Sequence, residues 1–133
     1  MLKAVIADTG PLYAEVDRSD QYHQRSRSEL LKINREKLTV IVPYPIYLEA
    51  HKLVLYASGV QAAIAFADRL ALQVNLINPT PEDYQAALQL MSRFTDQRIT
   101  IFDAVTAVLA LQVKLPVWTY DFHFEVMGVP IWR

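Results

Sequence analysis

Four acidic residues of this 133-residue chain stand among apolar neighbours, unlike most of its other acids. They are Asp8, Glu49, Asp103 and Asp121. Carboxylates that converge in a partly buried pocket repel one another, and a hard, oxygen-binding cation such as Mg²⁺ or Mn²⁺ relieves that repulsion. These residue types therefore predict an acidic divalent-metal site, provided that the fold brings the four side chains together.

The elements that position these acids follow from the pattern of apolar residues. Short unbroken apolar runs predict buried strands over residues 2–7, 38–42, 74–77 and 116–119, with a short edge strand at 129–132. Helical spacing and capping signals predict a helix behind Pro11 and further helices over 20–36, 46–57, 60–73, 80–96 and 100–113. The segment 60–73 is apolar on most of its circumference, which predicts packing on more than one side.

Strands of this kind, alternating with helices, are typical of a parallel sheet covered on both faces. We therefore predict an α/β fold, a single α/β/α sandwich over residues 1–133 with a short, mainly parallel sheet. Ligands of such sheets bind at the carboxyl ends of the strands. Asp8 and Asp121 follow the first and fourth strands, and Glu49 lies in the helix after the second.

Helix capping offers a structural explanation for Asp103. It lies three residues after Thr100, which is the spacing of a capping box, and Asp83 follows Thr80 at the same distance. The chain therefore uses this pattern twice, and the pattern alone does not require a metal.

The other three acids also have structural explanations. Asp8 and Asp121 stand where either side chain would cap the turn or helix that follows, and Glu49 is three residues before Lys52, an ion-pair spacing. Caps do not explain why all these positions are acidic rather than serine, threonine or asparagine. Metal binding and structural roles remain alternatives at this point.

Composition excludes several other classes of function. The chain has no cysteine, 53% apolar residues and a formal net charge of −1, which excludes disorder, thiolate zinc sites and a cysteine nucleophile. A general polyanion binder would be clearly basic. Three glycines supply no Gly-rich phosphate loop. No segment predicts a signal peptide or a membrane span, so we expect a soluble, cytoplasmic protein.

Two further patterns remain open. Six of the 13 bases fall within residues 18–37, which indicates either a phosphate-contacting face or a solvated helix. The three histidines, His23, His51 and His123, form no i, i+4 pair of the zinc-binding type. His123 follows Asp121 by two residues, and we expect it at the periphery of the site.

Four segments together resemble the PIN-domain proteins, in particular the VapC-like ribonucleases of type II toxin–antitoxin systems. They read VIADTGPL (5–12), YLEA (47–50), IFDA (101–104) and VWTYDFHF (117–124). The resemblance covers nearly the whole chain and preserves the order and spacing of the segments. It implies a metal-dependent endoribonuclease that uses Mg²⁺ or Mn²⁺.

Carried over by position, the catalytic and metal-binding acids of this family fall on Asp8, Glu49, Asp103 and Asp121. Thr9 matches the family's hydroxyl residue, and Thr119 at the end of the fourth strand is a second supporting hydroxyl. The implied partners are an RNA substrate, a cognate antitoxin and a second copy of the chain in a homodimer. The last family motif often reads T-x-D-x-D-F, so that His123 stands in place of an acid and puts a second metal in doubt.

Two other functions are the alternatives. A catalytically inactive PIN-like interaction module is disfavoured because all four acid positions are filled. A phosphoacceptor receiver needs paired acids after the first strand, and a haloacid-type phosphotransferase needs an aspartate where Gly10 stands. We therefore predict hydrolysis of RNA phosphodiester bonds.

Overall fold

The computed structural model describes residues 3–133, in which four strands and seven helices follow one another along the chain. The strands are β1 (Ala4–Ala7), β2 (Thr39–Pro43), β3 (Asn75–Ile77) and β4 (Val117–Trp118). The helices are α1 (Thr9–Val16), α2 (His23–Glu36), α3 (Tyr44–Ser58), α4 (Val60–Gln73), α5 (Pro81–Met91), α6 (Ile101–Val113) and α7 (His123–Val126). Position 2, where the first strand was predicted to begin, lies outside the described residues.

The strands form one parallel sheet in the order β3-β2-β1-β4. Ile6 of β1 is in register with Ile41 on one side and with Val117 on the other. From β1 the chain adds β2 and β3 toward one edge and β4 toward the other, so the order reverses between β1 and β4. Ligands of open parallel sheets bind at such a switch point, outside the carboxyl ends of the strands.

The core consists of two apolar layers, one on each face of the sheet. Successive β1 side chains point to opposite faces: Ala4 and Ile6 pack in the layer that contains α5 and α6 residues. Val5 and Ala7 pack in the layer that contains residues of α1, α3 and α4. All four β1 residues are buried, which explains the unbroken apolar run. The predicted α/β/α sandwich with a short parallel sheet is confirmed.

Residues 129–132 were predicted as a strand and do not form one. They contribute a single bridge, between Val117 and Ile131. Pro130 interrupts the segment, since proline has no N–H to donate to a ladder, although its carbonyl accepts a hydrogen bond from the Val117 N–H (2.9 Å).

Helix α4 has the predicted bounds but not the predicted packing. Its buried residues are Ala63, Phe66 and Leu70, which lie on one face, whereas Leu72 is 88% exposed and Ile64 is also exposed. The prediction that this helix packs on more than one side is therefore wrong for the chain described here.

Two other helix boundaries differ because polar residues form turns. Asp20, the predicted start of α2, instead accepts a hydrogen bond from the Tyr22 N–H through its side chain (2.8 Å), and α2 begins at His23. Helix α5 ends at Met91 rather than near Asp96, and residues 92–97 form turns. In the described part of the chain, every helix is too short or too polar to cross a membrane.

Candidate active site

The carboxyl ends of β1 and β4 open into a cleft of about 560 Å³. All four predicted acids line it: Asp8, Glu49, Asp103 and Asp121. Asp8 follows β1, Glu49 comes from α3, Asp103 from the first turn of α6, and Asp121 from the loop after β4. The structure therefore brings together residues that are as much as 113 positions apart, as the strand topology predicted.

Asp8 is held at the bottom of the cleft by a side chain from the neighbouring strand. Only 5% of the residue is exposed, and its Oδ2 accepts a hydrogen bond from Thr119 Oγ1 (2.8 Å). The Asp8 N–H donates to the Trp118 carbonyl (3.0 Å), which fixes the backbone against β4. The side chain makes no capping hydrogen bond to α1, so the structural alternative for this residue does not hold.

Thr119 connects two of the acids. Besides donating to Asp8, its hydroxyl oxygen accepts a hydrogen bond from the Asp121 N–H (3.0 Å). Thr119 is buried. It fixes Asp8 by a hydrogen bond to the carboxylate and Asp121 by a hydrogen bond from the backbone N–H.

Glu49 has a similar hydroxyl partner. Thr9 Oγ1 donates a hydrogen bond to Glu49 Oε1. The alternative ion pair with Lys52 does not form in the described chain, and the Lys52 ammonium lies 5.8 Å from the centre of the Tyr56 ring instead. Of the two supporting threonines, Thr9 thus contacts one acid and Thr119 contacts two.

Asp103 caps its helix only in part. Its backbone N–H donates to Thr100 Oγ1 (3.2 Å), but its carboxylate does not return a bond to the N-cap backbone. Only 8% of the residue is exposed, and its carboxyl group shares a hydrogen bond with the side chain of Asp121. The side-chain partner of Asp103 is therefore a second acid of the cleft.

Asp121 and His123 form a compact unit at the start of α7. Asp121 Oδ1 accepts a hydrogen bond from the His123 N–H (2.9 Å) and lies 3.2 Å from His123 Nδ1, so its side chain stabilises the turn before α7, which is the structural alternative for this residue. One ligand atom each from Asp103, Asp121 and His123 lies within 4.8 Å of the other two. His123 therefore belongs to the most compact group of the site rather than to its periphery.

The electrostatics of the cleft reflect concentrated negative charge. Burial raises the pKa of Asp8 to about 6. The hydrogen bond from Thr119 lowers this pKa, and the charges of Asp121 and Glu49 raise it further. Burial and then the charge of Asp8 raise the pKa of Asp103 to about 8. Over the described residues, no lysine or arginine forms a salt bridge with any of the four acids. Carboxylate oxygens with one imidazole nitrogen fit a divalent cation, which would supply the missing positive charge.

The sequence did not indicate the role of Glu29. This α2 residue stands in a polar stretch, yet its Oε1 accepts hydrogen bonds from Tyr120 (2.5 Å) and from the Trp118 indole (3.0 Å). Arg25 lies 4.4 Å from the centre of the Tyr120 ring and 3.4 Å from Glu29 Oε2. These contacts hold α2 against the loop that carries Asp121, and no local sequence signal could have identified partners about 90 positions away.

The sequence matches the PIN domain family over residues 5–130. Similar solved structures include VapC20 of Mycobacterium tuberculosis, a toxin that cleaves the sarcin–ricin loop, with 20% identity over 98% of this chain and 99% of that one (TM-score 0.84). VapBC-1 of nontypeable Haemophilus influenzae has 14% identity over 97% and 96% of the chains (TM-score 0.72). A toxin–antitoxin complex of Klebsiella pneumoniae has 16% identity over 90% and 88% (TM-score 0.63).

At these identities the structural similarity concerns the fold. No functionally curated protein sequence matches the chain. The family match spans nearly every described residue and includes three of the four residues of β1, all of β4 and all four acids of the cleft. The chain therefore belongs to the PIN domain family.

Proposed function

We propose that this protein is a metal-dependent endoribonuclease that hydrolyses RNA phosphodiester bonds and acts as the toxin of a toxin–antitoxin pair. The observation that carries the proposal is the convergence of four carboxylates on one cleft, without a lysine or arginine paired to them in the described residues. Membership of the PIN domain family supports a nuclease.

In this proposal Asp8, Glu49, Asp103 and Asp121 are the catalytic acids and hold Mg²⁺ or Mn²⁺. When bound, the cation supplies Lewis acidity toward the phosphodiester and lowers the pKa of a water molecule. No side chain has to act as the nucleophile. The four carboxylates would fix the position of the bound cation. The rate of cleavage would therefore depend on how precisely the cleft holds these side chains.

Thr119 and Thr9 act as positioning residues. Their hydroxyls hold Asp8 and Glu49 through hydrogen bonds, so that neither carboxylate has to be ordered when the substrate arrives. Because Thr119 also accepts from the Asp121 N–H, it fixes the spacing between the acids that follow β1 and β4.

The proposed partners follow from the acidic cleft. RNA would be the substrate of the cleft, and an antitoxin segment with a basic side chain would bind the carboxylates and block it. One of the similar structures is a toxin–antitoxin complex, which supports such a partner. We also propose a homodimer that acts in the cytoplasm.

The test is a Mn²⁺ titration against thermal unfolding, because it does not require the RNA to be known. A ligand that binds only the folded state at 100 times its Kd stabilises it by about 2.7 kcal/mol, or roughly 10 °C in Tm for a chain of this size. We expect this shift for the parent and for Asp68→Asn, an exposed acid of α4, and a much smaller shift for Asp8→Asn.

Cleavage of a total RNA mixture is then compared between the parent and Asp8→Asn. The asparagine Oδ1 can still accept the Thr119 hydrogen bond, so a loss of cleavage with an unchanged fold would identify the carboxylate charge as essential. If Mn²⁺ shifts neither protein and no RNA is cut, the function is wrong, and the inactive interaction module takes its place.

A further inference from the structure

Helix α7 begins with a histidine that lies next to an acid of the site. His123 Nδ1 lies 3.2 Å from Asp121 Oδ1. Neighbouring ligands of an octahedral ion at roughly 2.1 Å are about 3 Å apart. The two side chains are therefore spaced as adjacent ligands of one ion would be. Asp103 completes the group, since all three ligand atoms lie within 4.8 Å of one another.

The position of His123 is fixed locally. Its N–H donates to Asp121 Oδ1 (2.9 Å), and its ring lies 4.4 Å from the ring of Phe122, centre to centre. Its side chain is 16% exposed, and Asp121 is its salt-bridge partner within residues 3–133. Residues 121–123 therefore present an oxygen and a nitrogen to the same point without help from distant elements.

Asp103 brings a second carboxyl group to this point from α6. Only 8% of the residue is exposed, and its carboxyl group shares a hydrogen bond with that of Asp121. Each of the other three acids of the cleft accepts a hydrogen bond from an N–H or hydroxyl donor. A cation between Asp103, Asp121 and His123 would replace the contact between two acids by attraction to both.

The remaining histidines lie elsewhere. His23 is buried, and its Nδ1 lies 2.7 Å from the Ala14 carbonyl oxygen. His51 lies on α3 and does not belong to the compact group formed by Asp103, Asp121 and His123. A role at the site is thus specific to His123, and His51 offers a matched control.

We propose that His123 is a direct ligand of the divalent cation, together with Asp103 and Asp121, and that the site therefore prefers Mn²⁺ to Mg²⁺. This inference rests on the proposed metal-dependent function and specifies its cation. Mg²⁺ binds through carboxylates, waters and phosphates, whereas imidazole nitrogen suits transition-metal ions. Among these, Mn²⁺ also accepts carboxylate oxygens.

The experiment is pulsed electron paramagnetic resonance of the Mn²⁺-loaded protein in a nitrogen-free buffer. The parent and His51→Asn are expected to show imidazole-nitrogen hyperfine coupling to the ion, and His123→Asn is expected to lose it. Direct ligation also predicts that His123→Asn weakens Mn²⁺ binding by about tenfold or more, since even the loss of an outer partner of a ligand costs about that much. Mg²⁺ binding should change far less.

A second variant keeps the test independent of folding. His123→Asp provides an oxygen ligand, so it should bind Mg²⁺ at least as tightly as the parent while showing no nitrogen coupling to Mn²⁺. The turn at 121–123 is kept in His123→Asn and in His123→Asp, because its hydrogen bond uses the backbone N–H of position 123.

The outcomes separate the two proposals. If the parent binds Mn²⁺, Asp103→Asn abolishes the binding and no nitrogen coupling appears in the parent, His123 is not a ligand, while the metal-dependent function stands. If His123→Asn keeps both the coupling and the affinity, the ligand assignment is also wrong. If the parent binds no Mn²⁺ at all, both this inference and the proposed function fail.

Discussion

The starts of helices α5 and α6 share one sequence pattern and have different chemistry. At both, a threonine N-cap accepts a hydrogen bond from the N–H of an aspartate three residues later, Asp83 in α5 (3.1 Å) and Asp103 in α6 (3.2 Å). At α5 the bond is returned, since Asp83 Oδ2 accepts from the Thr80 N–H (2.9 Å) and Oδ1 accepts from Gln112 (2.9 Å). At α6 the Asp103 carboxyl group does not return the bond, and its side-chain partner is another acid, Asp121.

The pKa values of the two aspartates follow this difference. The bond from the Thr80 backbone, followed by that from Gln112, lowers the pKa of Asp83. Burial, followed by the charge of Asp8, raises the pKa of Asp103 to about 8. A capping-box spacing therefore does not reveal whether its acid stabilises the helix or remains free to bind a cation. The environment of the carboxylate decides this.

The largest expected difference between the two helix starts is in catalysis. Asp103→Asn removes a proposed ligand charge, so we expect RNA cleavage to fall by at least about 100-fold. Asp83→Asn, the matched variant at α5, should cleave RNA at nearly the parent rate. Initial rates on one RNA at saturating Mn²⁺ measure both.

Equal activity losses in the two variants would mean that both substitutions act through stability. Asp103 and Asp83 would then not differ in their role in catalysis. Circular dichroism spectra and melting curves of the variants provide the control.

The next difference is in the pH dependence of stability without metal. Because the pKa of Asp103 is about 8 in the folded state and 3.8 is its ordinary value, the folded state binds more protons between these values, and its stability falls as the pH rises. Asp103→Asn removes this loss. In EDTA at pH 8 we expect its Tm to exceed that of the parent by roughly 4 °C or more, which corresponds to about 1 kcal/mol. At pH 4 the two should converge.

Asp83→Asn should show the opposite sign. The lowered pKa of Asp83 stabilises the fold above its ordinary value of 3.8, and that contribution is lost as the pH falls through the lowered value. This variant should therefore melt below the parent at pH 7 and approach it in acid. Differential scanning calorimetry from pH 3 to pH 9 tests both curves, and two shifts of the same sign would contradict the comparison.

The smallest expected effect concerns the side chain that completes the α5 cap. Gln112→Ala removes the hydrogen bond to Asp83 Oδ1 and should cost about 1 kcal/mol in urea unfolding, with RNA cleavage unchanged. Gln85→Ala changes an exposed glutamine of α5 whose side chain makes no hydrogen bond in residues 3–133, so it should cost less. If both cost the same, Gln112 does not support the cap.

The sequence predicted what depends on local patterns and on sheet topology. Apolar runs placed the four strands to within two residues over the described chain, and the rule for strand ends brought Asp8 and Asp121 to one cleft. The Thr80 and Thr100 caps were also visible, because they depend on neighbours three positions away.

Features that depend on tertiary contacts could not be predicted in this way. The apolar composition of α4 indicated packing on several sides, yet one face of the helix is buried and Leu72 is exposed. Glu29 reads as a solvated acid until the fold brings Trp118 and Tyr120 to it. His123 gave no i, i+4 signal, since its partner Asp103 comes from another helix.

The position of β4 beside β1 also has a consequence for biosynthesis. Asp8 is translated more than 100 residues before Thr119 and Asp121, which hold and complete the cleft and are made after α6. At roughly 5–20 residues per second, many seconds of translation separate the two ends of the site. A nascent chain therefore has no assembled cleft until translation has passed β4, and the proposed nuclease activity can begin only then.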